Sequence, residues 1–291
     1  MKKLYTLCSM LLCFCLTIVC STETTAQTIW SGTADITWYD ATQSSFDIST
    51  PEELAGVAQL VNSGTADFTG KTVNLNADLW LNASGSTTNN WTPIGGSATA
   101  TGEATGNPYF FKGTSHGRGH TIHNLYCEKS NYFQAGLFGG VVGITLDSLA
   151  LVNPIVISKG MMGAFVGFAG SSSAINISNC IAINASINGT GGNNIGCIIG
   201  ANYSNSSGTN VTNCGATGYI TGNYIGGLGG NSQYVTYVNC YFAGTLAGAP
   251  NGGICGYSGS TTNCYTNYTS GSNTHTGEYV KTSAYMQSDS I

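Results

Sequence analysis

Charge is the scarcest property of this chain. Of 291 residues only 7% are Asp, Glu, Lys or Arg, against about 25% in an average soluble domain. Eight residues are basic, too few for the clustered cations that neutralise a phosphate backbone, which excludes a nucleic-acid partner. Carboxylates are thin as well: from Tyr132 to Gly277 the charged residues are Asp147 and Lys159 alone. Glycoside hydrolysis uses two carboxyl groups a few ångströms apart, and a polysaccharide lyase uses a base, often beside acidic residues that hold calcium. Neither inventory exists in that stretch. Long apolar runs are absent too. The longest, from about Leu11 to Val19, falls short of the roughly 20 residues that a membrane helix takes.

Gly, Ser, Thr and Asn fill the place of charge, at close to half of the residues. Hydrophobic residues still make up 42%, and the net charge is only -5. A chain with that much apolar side chain and so little self-repulsion collapses rather than staying disordered. Its first residues read as an address: Met1, Lys2 and Lys3, the short apolar run, then the small residues Thr24, Thr25 and Ala26. Residues 1–26 are therefore expected to be a signal peptide cleaved after Ala26, leaving a secreted or cell-surface protein without a transmembrane segment. Lipidation at Cys20 is the alternative, disfavoured by the bulk of Val19 just before it.

Seven cysteines follow that segment, an odd number that argues against a complete disulfide framework. Four share one setting: Asn179-Cys180, Asn213-Cys214, Asn239-Cys240 and Asn263-Cys264 stand 34, 26 and 24 residues apart. A glycine pattern runs in phase with them: Ala135-Gly136-Leu137-Phe138-Gly139, Gly163-Ala164-Phe165-Val166-Gly167, Gly196-Cys197-Ile198-Ile199-Gly200, Gly226-Gly227-Leu228-Gly229-Gly230 and Gly252-Gly253-Ile254-Cys255-Gly256. Repeats of this length signal a solenoid. Segments such as Ala174-Ile175-Asn176-Ile177-Ser178 alternate with period two, as half-buried strands do, and Gly, Asn and Ser clusters between them supply turns. Leu149 fills the cysteine slot of the first unit, so Leu149, Cys180, Cys214, Cys240 and Cys264 are expected to stack inward on successive rungs.

The alternation of the two motifs over roughly Phe110 to Tyr268 resembles the bacterial GLUG-motif family. Trp30-Ser31-Gly32-Thr33-Ala34, Trp91-Thr92-Pro93-Ile94-Gly95 and Gly117-Arg118-Gly119-His120-Thr121-Ile122 resemble the leading segment of its secreted members. The resemblance implies an all-β, right-handed parallel β-helix at or outside the cell surface, in adhesion-type roles. Some immunoglobulin A-cleaving metallopeptidases carry such repeats beside a catalytic part, but the HExxH helix of a zinc peptidase is absent here. The expected layout is a signal peptide (1–26), an N-terminal cap with the first coils (27–131), GLUG-type repeats (132–275) and a short tail (276–291). Within the cap, Thr50, Pro51 and Glu53 start a helix through a capping box, and Leu54, Val57, Ala58 and Val61 share one face. Residues 50–62 are expected to lie as an amphipathic helix over the first coil. No comparable element closes the other end, which suggests a truncated product or end-to-end contact with a partner at an uncapped last coil.

Candidate chemistry is sparse. His116, His120 and His123 invite a zinc reading, yet on a strand His120 and His123 point to opposite faces, and His116 precedes a Gly-Arg-Gly turn. The acidic residues Asp35, Asp40, Asp47, Asp67, Asp78, Glu103 and Glu128 are dispersed over the leading segment, in solvated or turn-capping places. Cysteines without a cationic neighbour or helix terminus are core packing rather than nucleophiles. Thr and Asn rows suggest an ice-binding face, but turns of such unequal length argue against a flat lattice. Tyrosines are the best surface feature: Tyr241 and Tyr265 face outward if Cys240 and Cys264 face inward, and Tyr219, Tyr224, Tyr234, Tyr237, Tyr257 and Tyr268 lie in the same part of the chain. Such a row either stacks on sugar rings or a protein, or forms a ladder that steadies the coils. The reading that follows is a non-catalytic, exported, adhesin-like module without cofactor or metal. It would bind a glycan or a host or bacterial surface protein through Tyr241, Tyr265, Tyr257 and Tyr268. The alternatives are a polysaccharide-acting enzyme and a structural segment of a longer surface protein or peptidase.

Overall fold

The computed structural model describes residues 27–96, 109–129, 134–170, 173–202, 208–268 and 278–281. The expected signal peptide with Cys20, Glu103, and the tail apart from 278–281 lie outside these residues. The chain forms a parallel β-solenoid of about 6 turns with one short helix. Sheets of 8, 12 and 5 strands make its faces. No helix among the described residues is long and apolar enough to cross a membrane.

Alternation sets the core. In the 8-stranded sheet one inward row runs in register through Phe46, Val73, Ser115, Leu146, Ile177, Val211, Tyr237 and Thr261, all of them buried. Asn176 and Asn210, beside that row, face water. Unequal turns leave this register undisturbed. One outer row runs Thr72, Thr114, Thr145, Asn176, Asn210, Thr236 and Ser260, so threonine holds three consecutive rungs before asparagine replaces it. Tyr237 corrects an expectation: grouped by sequence with the surface tyrosines, it is fully buried, its hydroxyl 2.8 Å from Ser232 Oγ. Room for it comes from Gly229, where a Cβ would lie 1.9 Å from that hydroxyl.

The last five strands of this face each end at a corner residue with positive φ: Ser148 (52°), Asn179, Asn213 and Asn239 (54° each) and Asn263 (51°). Asn tolerates the left-handed region better than other non-glycine residues do. The bend lets the residue two before the corner and the residue just after it both face inward, as Val211 and Cys214 do. Leu149, Cys180, Cys214, Cys240 and Cys264 accordingly stack in the core, at 2% exposure or less. The corner amides bond along the rod: Asn213 Nδ2 donates to Asn179 Oδ1 (3.2 Å), Asn239 to Asn213 (3.2 Å) and Asn263 to Asn239 (3.3 Å). All seven cysteines of the described residues are buried thiols outside any disulfide.

Close approach of backbone explains the glycine motifs. The last glycine of each of the later four motifs lies under a row of stacked chain formed by Ala135, Met162, Ile195 and Ile225. A Cβ at Gly167 would come 2.7 Å from Ala135 N, at Gly200 2.4 Å from Met162 N, and at Gly230 2.1 Å from Ile195 N. Trp91-Thr92-Pro93-Ile94-Gly95 fills the same slot one rung earlier, since Ile94 pairs in parallel with Phe138. The sequence pattern hid it because only its final Ile-Gly matches.

The helix, α1 (Pro51–Asn62), starts as expected, with Thr50 and Glu53 closing a reciprocal capping box. It buries more than one face. Residues 30–39 lie across its far side, where Asp35 N donates to Glu52 O (2.9 Å) and a Cβ at Gly56 would sit 1.9 Å from Asp35 O. Ala55, Gly56 and Leu60 are therefore buried along with the expected stripe. At the other end, Glu278–Val280 adds a further parallel strand to Cys264–Thr266.

Two outcomes test this packing. Gly230→Ala should lower the equilibrium stability to urea by at least about 3 kcal/mol, because backbone must move to admit the methyl. Gly119→Ala meets open space and should cost only the left-handed penalty of about 1–2 kcal/mol. The second concerns alkali. Burial raises the thiols of Cys127 and Cys197 from 9.0 to about 11 and about 12. Above pH 9 the unfolded chain loses protons that the folded chain keeps, so this stability is complete below pH 9 and falls as pH rises through 11–12. Urea titrations at rising pH should show the decline, at about 1.4 kcal/mol per pH unit for each such thiol, with a shallower slope in Cys197→Ala.

Candidate functional site

Two outward rows on the 12-stranded sheet form the aromatic flank. The first runs through Thr121, Ala150, Ile181, Gly215, Tyr241, Tyr265 and Tyr279. Tyr241 and Tyr265 are half-buried, and Tyr265 packs against Tyr279 with ring centroids 5.5 Å apart. Tyr241 leans over Gly215, where a Cβ would meet its ring at 2.2 Å, and burial raises its phenol above the ordinary value. The four tyrosines expected to form one site do not share a surface. Tyr257 is exposed at the edge of the 5-stranded sheet, paired in register with Asn231, and Tyr268 packs partly buried against the core.

The second row, Ile29, Trp80, His123, Val152 and Ile183, is absent from the sequence reading. Trp80 and His123 stack face to face at 4.7 Å and 1°. Burial lowers the His123 imidazole below 6.5, against an opposing pull from Asp78, which keeps the stacked ring neutral near pH 7.

Past these rows the sheet bends at a second asparagine corner: Asn124 (φ 55°), Asn153 (53°) and Asn184 (55°). Asn153 Nδ2 donates to Asn124 Oδ1 at 3.1 Å and Asn184 Nδ2 to Asn153 Oδ1 at 2.9 Å. Buried Asn82 anchors the base, its carbonyl accepting from Asn124 Nδ2 at 2.9 Å. Beyond the corner, Tyr126, Ile155, Ser186, Tyr219 and Thr245 stand in register as a facing wall. Between ladder and wall runs a groove of about 610 Å³. Its floor is low because Gly218 and Gly244 lie so close to the neighbouring rung that a Cβ would meet a carbonyl oxygen at 2.0 and 2.2 Å. The lining contains no Asp, Glu, Lys, Arg or His. A signal for it existed: Asn124, Asn153 and Asn184 recur at 29 and 31 residues, each two after an inward apolar residue.

Ionisable groups gather elsewhere. The three histidines part company: His116 Nδ1 lies 2.9 Å from Asp147 Oδ2, His120 Nδ1 lies 3.2 Å from Asp78 Oδ1, and His123 stacks on Trp80. His116 ends a strand, in register with Asn74 and Asp147, just before the Gly117-Arg118-Gly119 segment, where the sequence placed it. Among the described residues no three His, Cys, Asp or Glu gather as a metal site would need. Asp35 Oδ1 accepts from Thr37 Oγ1 and N at 2.7 and 2.8 Å, and Asp40 Oδ1 accepts from Thr42 N and Oγ1 at 2.8 Å each. These bonds lower both carboxyls below the usual range, opposite to what a general acid needs. Arg118 pairs with Asp47 at 3.3 Å and Lys112 with Asp67 at 3.0 Å.

Comparisons with protein-family models, curated proteins and solved structures find no match.

The stacked pair makes a prediction. Following the His123 ring protons by NMR should give a midpoint below 6.5, and Trp80→Ala, which uncovers the ring, should move it back toward that value. A midpoint at or above 6.5 in the parent protein would contradict the burial.

Proposed function

We propose that this protein is an exported, non-catalytic recognition module of GLUG-repeat type, adhesin-like, which holds a glycan or a surface protein on the outer face of its 12-stranded sheet. One observation carries the reading: no Asp, Glu, Lys, Arg or His lines the groove on that face. From Asp35 to Asp147 each described carboxylate already serves a local partner. Asp35, Asp40 and Asp67 cap turns, Glu52 and Glu53 hold the start of α1, and Asp47, Asp78 and Asp147 pair with Arg118, His120 and His116. Glu128 accepts from the Tyr126 hydroxyl. Ring faces, hydroxyls and amides line that groove, the combination that suits hydroxyl-rich or weakly polar partners.

A second reading, an enzyme acting on polysaccharide, is favoured by one feature. His116 and Asp147 form a hydrogen-bonded base and carboxylate in the outer row that also holds Asp47 and Asn74. The two readings separate in one assay. On the leading reading, the secreted protein binds a glycan or surface-protein panel and releases no reducing ends or unsaturated sugars over a day. Product that disappears in His116→Ala would replace it with the enzymatic one.

A further inference from the structure

We infer that the groove between the asparagine ladder and the tyrosine wall is a binding site for a linear, uncharged polysaccharide lying along the solenoid axis. This rests on the recognition reading and narrows it to one ligand class and one place. Rungs repeat at about 4.8 Å. The groove spans the rungs of Tyr126, Ile155, Ser186, Tyr219 and Thr245, so it measures about 20 Å, enough for several sugar rings in a row. Tyr126 and Tyr219 stand three rungs apart on one wall, about 14 Å, and Tyr219 is 47% exposed. Such rings stack on the CH faces of pyranoses. Opposite them, each ladder amide carries two N–H groups and passes one to its neighbour. Asn184 at the outer end is exposed. Its backbone N–H is held by Thr217 Oγ1 at 2.9 Å, which continues the polar wall by one rung.

Other polymers fit less well. An acidic or basic chain would meet no counter-charge from the lining, which holds no Asp, Glu, Lys, Arg or His. An extended peptide gains affinity by pairing with a free strand edge, but the strands beneath are already paired from Tyr126 to Thr245. A lipid tail would bury the second N–H of the Asn153 and Asn184 amides, which the ladder does not use, at a cost of about 1–3 kcal/mol each. Sugar hydroxyls satisfy the amides and leave the ring faces to the tyrosines.

Affinity electrophoresis of the full secreted chain tests this, with β-glucan, xylan, mannan and α-glucan in one set of gels, alginate and heparin in another. The parent protein should be retarded by at least one neutral polymer. Tyr219→Ala, which removes an exposed ring, and Ser186→Arg, which fills the groove from an outward position, should each weaken that binding about tenfold or more. Tyr265→Ala should stay within about twofold, because its ring lies on the neighbouring row. Circular dichroism and urea midpoints confirm that each variant folds. Binding that survives both groove variants but fails in Tyr265→Ala overturns the groove and leaves the recognition reading standing. So does retardation by the acidic polymers alone, or capture of a surface protein with no glycan bound. No binding to any glycan or protein overturns both.

Discussion

Stacking of the chain on itself, one rung per turn, constrains everything else in this molecule. A side chain in a parallel coil has its counterpart from the next coil as its nearest neighbour, at about 4.8 Å. Two like charges at that distance repel by about 1 kcal/mol in water and several-fold more when half-buried. A repeating acidic or basic position is therefore penalised at each rung, whereas amides, thiols, hydroxyls and rings attract their own kind. The near absence of charge from Tyr132 to Gly277 and the uninterrupted register of the 8-stranded sheet have this single origin.

The same constraint chooses which residues may turn the chain. A corner must take positive φ, and the choice of Asn over Gly adds a side chain that bonds to the next corner. The links from Asn179 to Asn263 and from Asn124 to Asn184 act as seams down two edges of the rod. A hydrogen bond contributes about 0.5–1.5 kcal/mol net. No single link dominates, but a slipped register would break a whole seam. Glycine is kept for places where backbone meets backbone, as at Gly200 and Gly230. Thiols sit just inside the first seam, where a compact side chain fits between rungs.

How far residues alone disclosed this depended on whether each signal was local. The in-phase glycine and Asn-Cys patterns gave the solenoid, and Leu149 took its place in the thiol column. Thr50, Pro51 and Glu53 located the start of α1, expected over 50–62 and found over Pro51–Asn62 with Thr50 as its cap. What failed needed three-dimensional knowledge. Burial of α1 on its second side depends on residues 30–39 returning across it, which no helical pattern encodes. Tyr237 looked like its neighbours in composition, yet its inward place follows from Val211 one rung below and from a cavity that Gly229 leaves open. The four tyrosines proposed as one site divided because Tyr257 belongs to another sheet, a fact that sequence proximity conceals. The groove was overlooked for a different reason: its asparagines lack a neighbouring cysteine to draw attention to their period.

On the proposed reading, a surface built under this rule recognises partners in a particular way. Without charge there is no long-range steering, so association proceeds at the slower rates of neutral encounters and is insensitive to salt. Affinity must come from short-range contacts, and each rung offers nearly the same small set. A polymer whose own units repeat can use many of these sets together, whereas a compact ligand uses one. Linked weak contacts then raise overall affinity well beyond that of any single contact, provided that they engage together. The structural repeat thus favours an extended, repetitive partner for the same physical reason that it excludes charge from the rod.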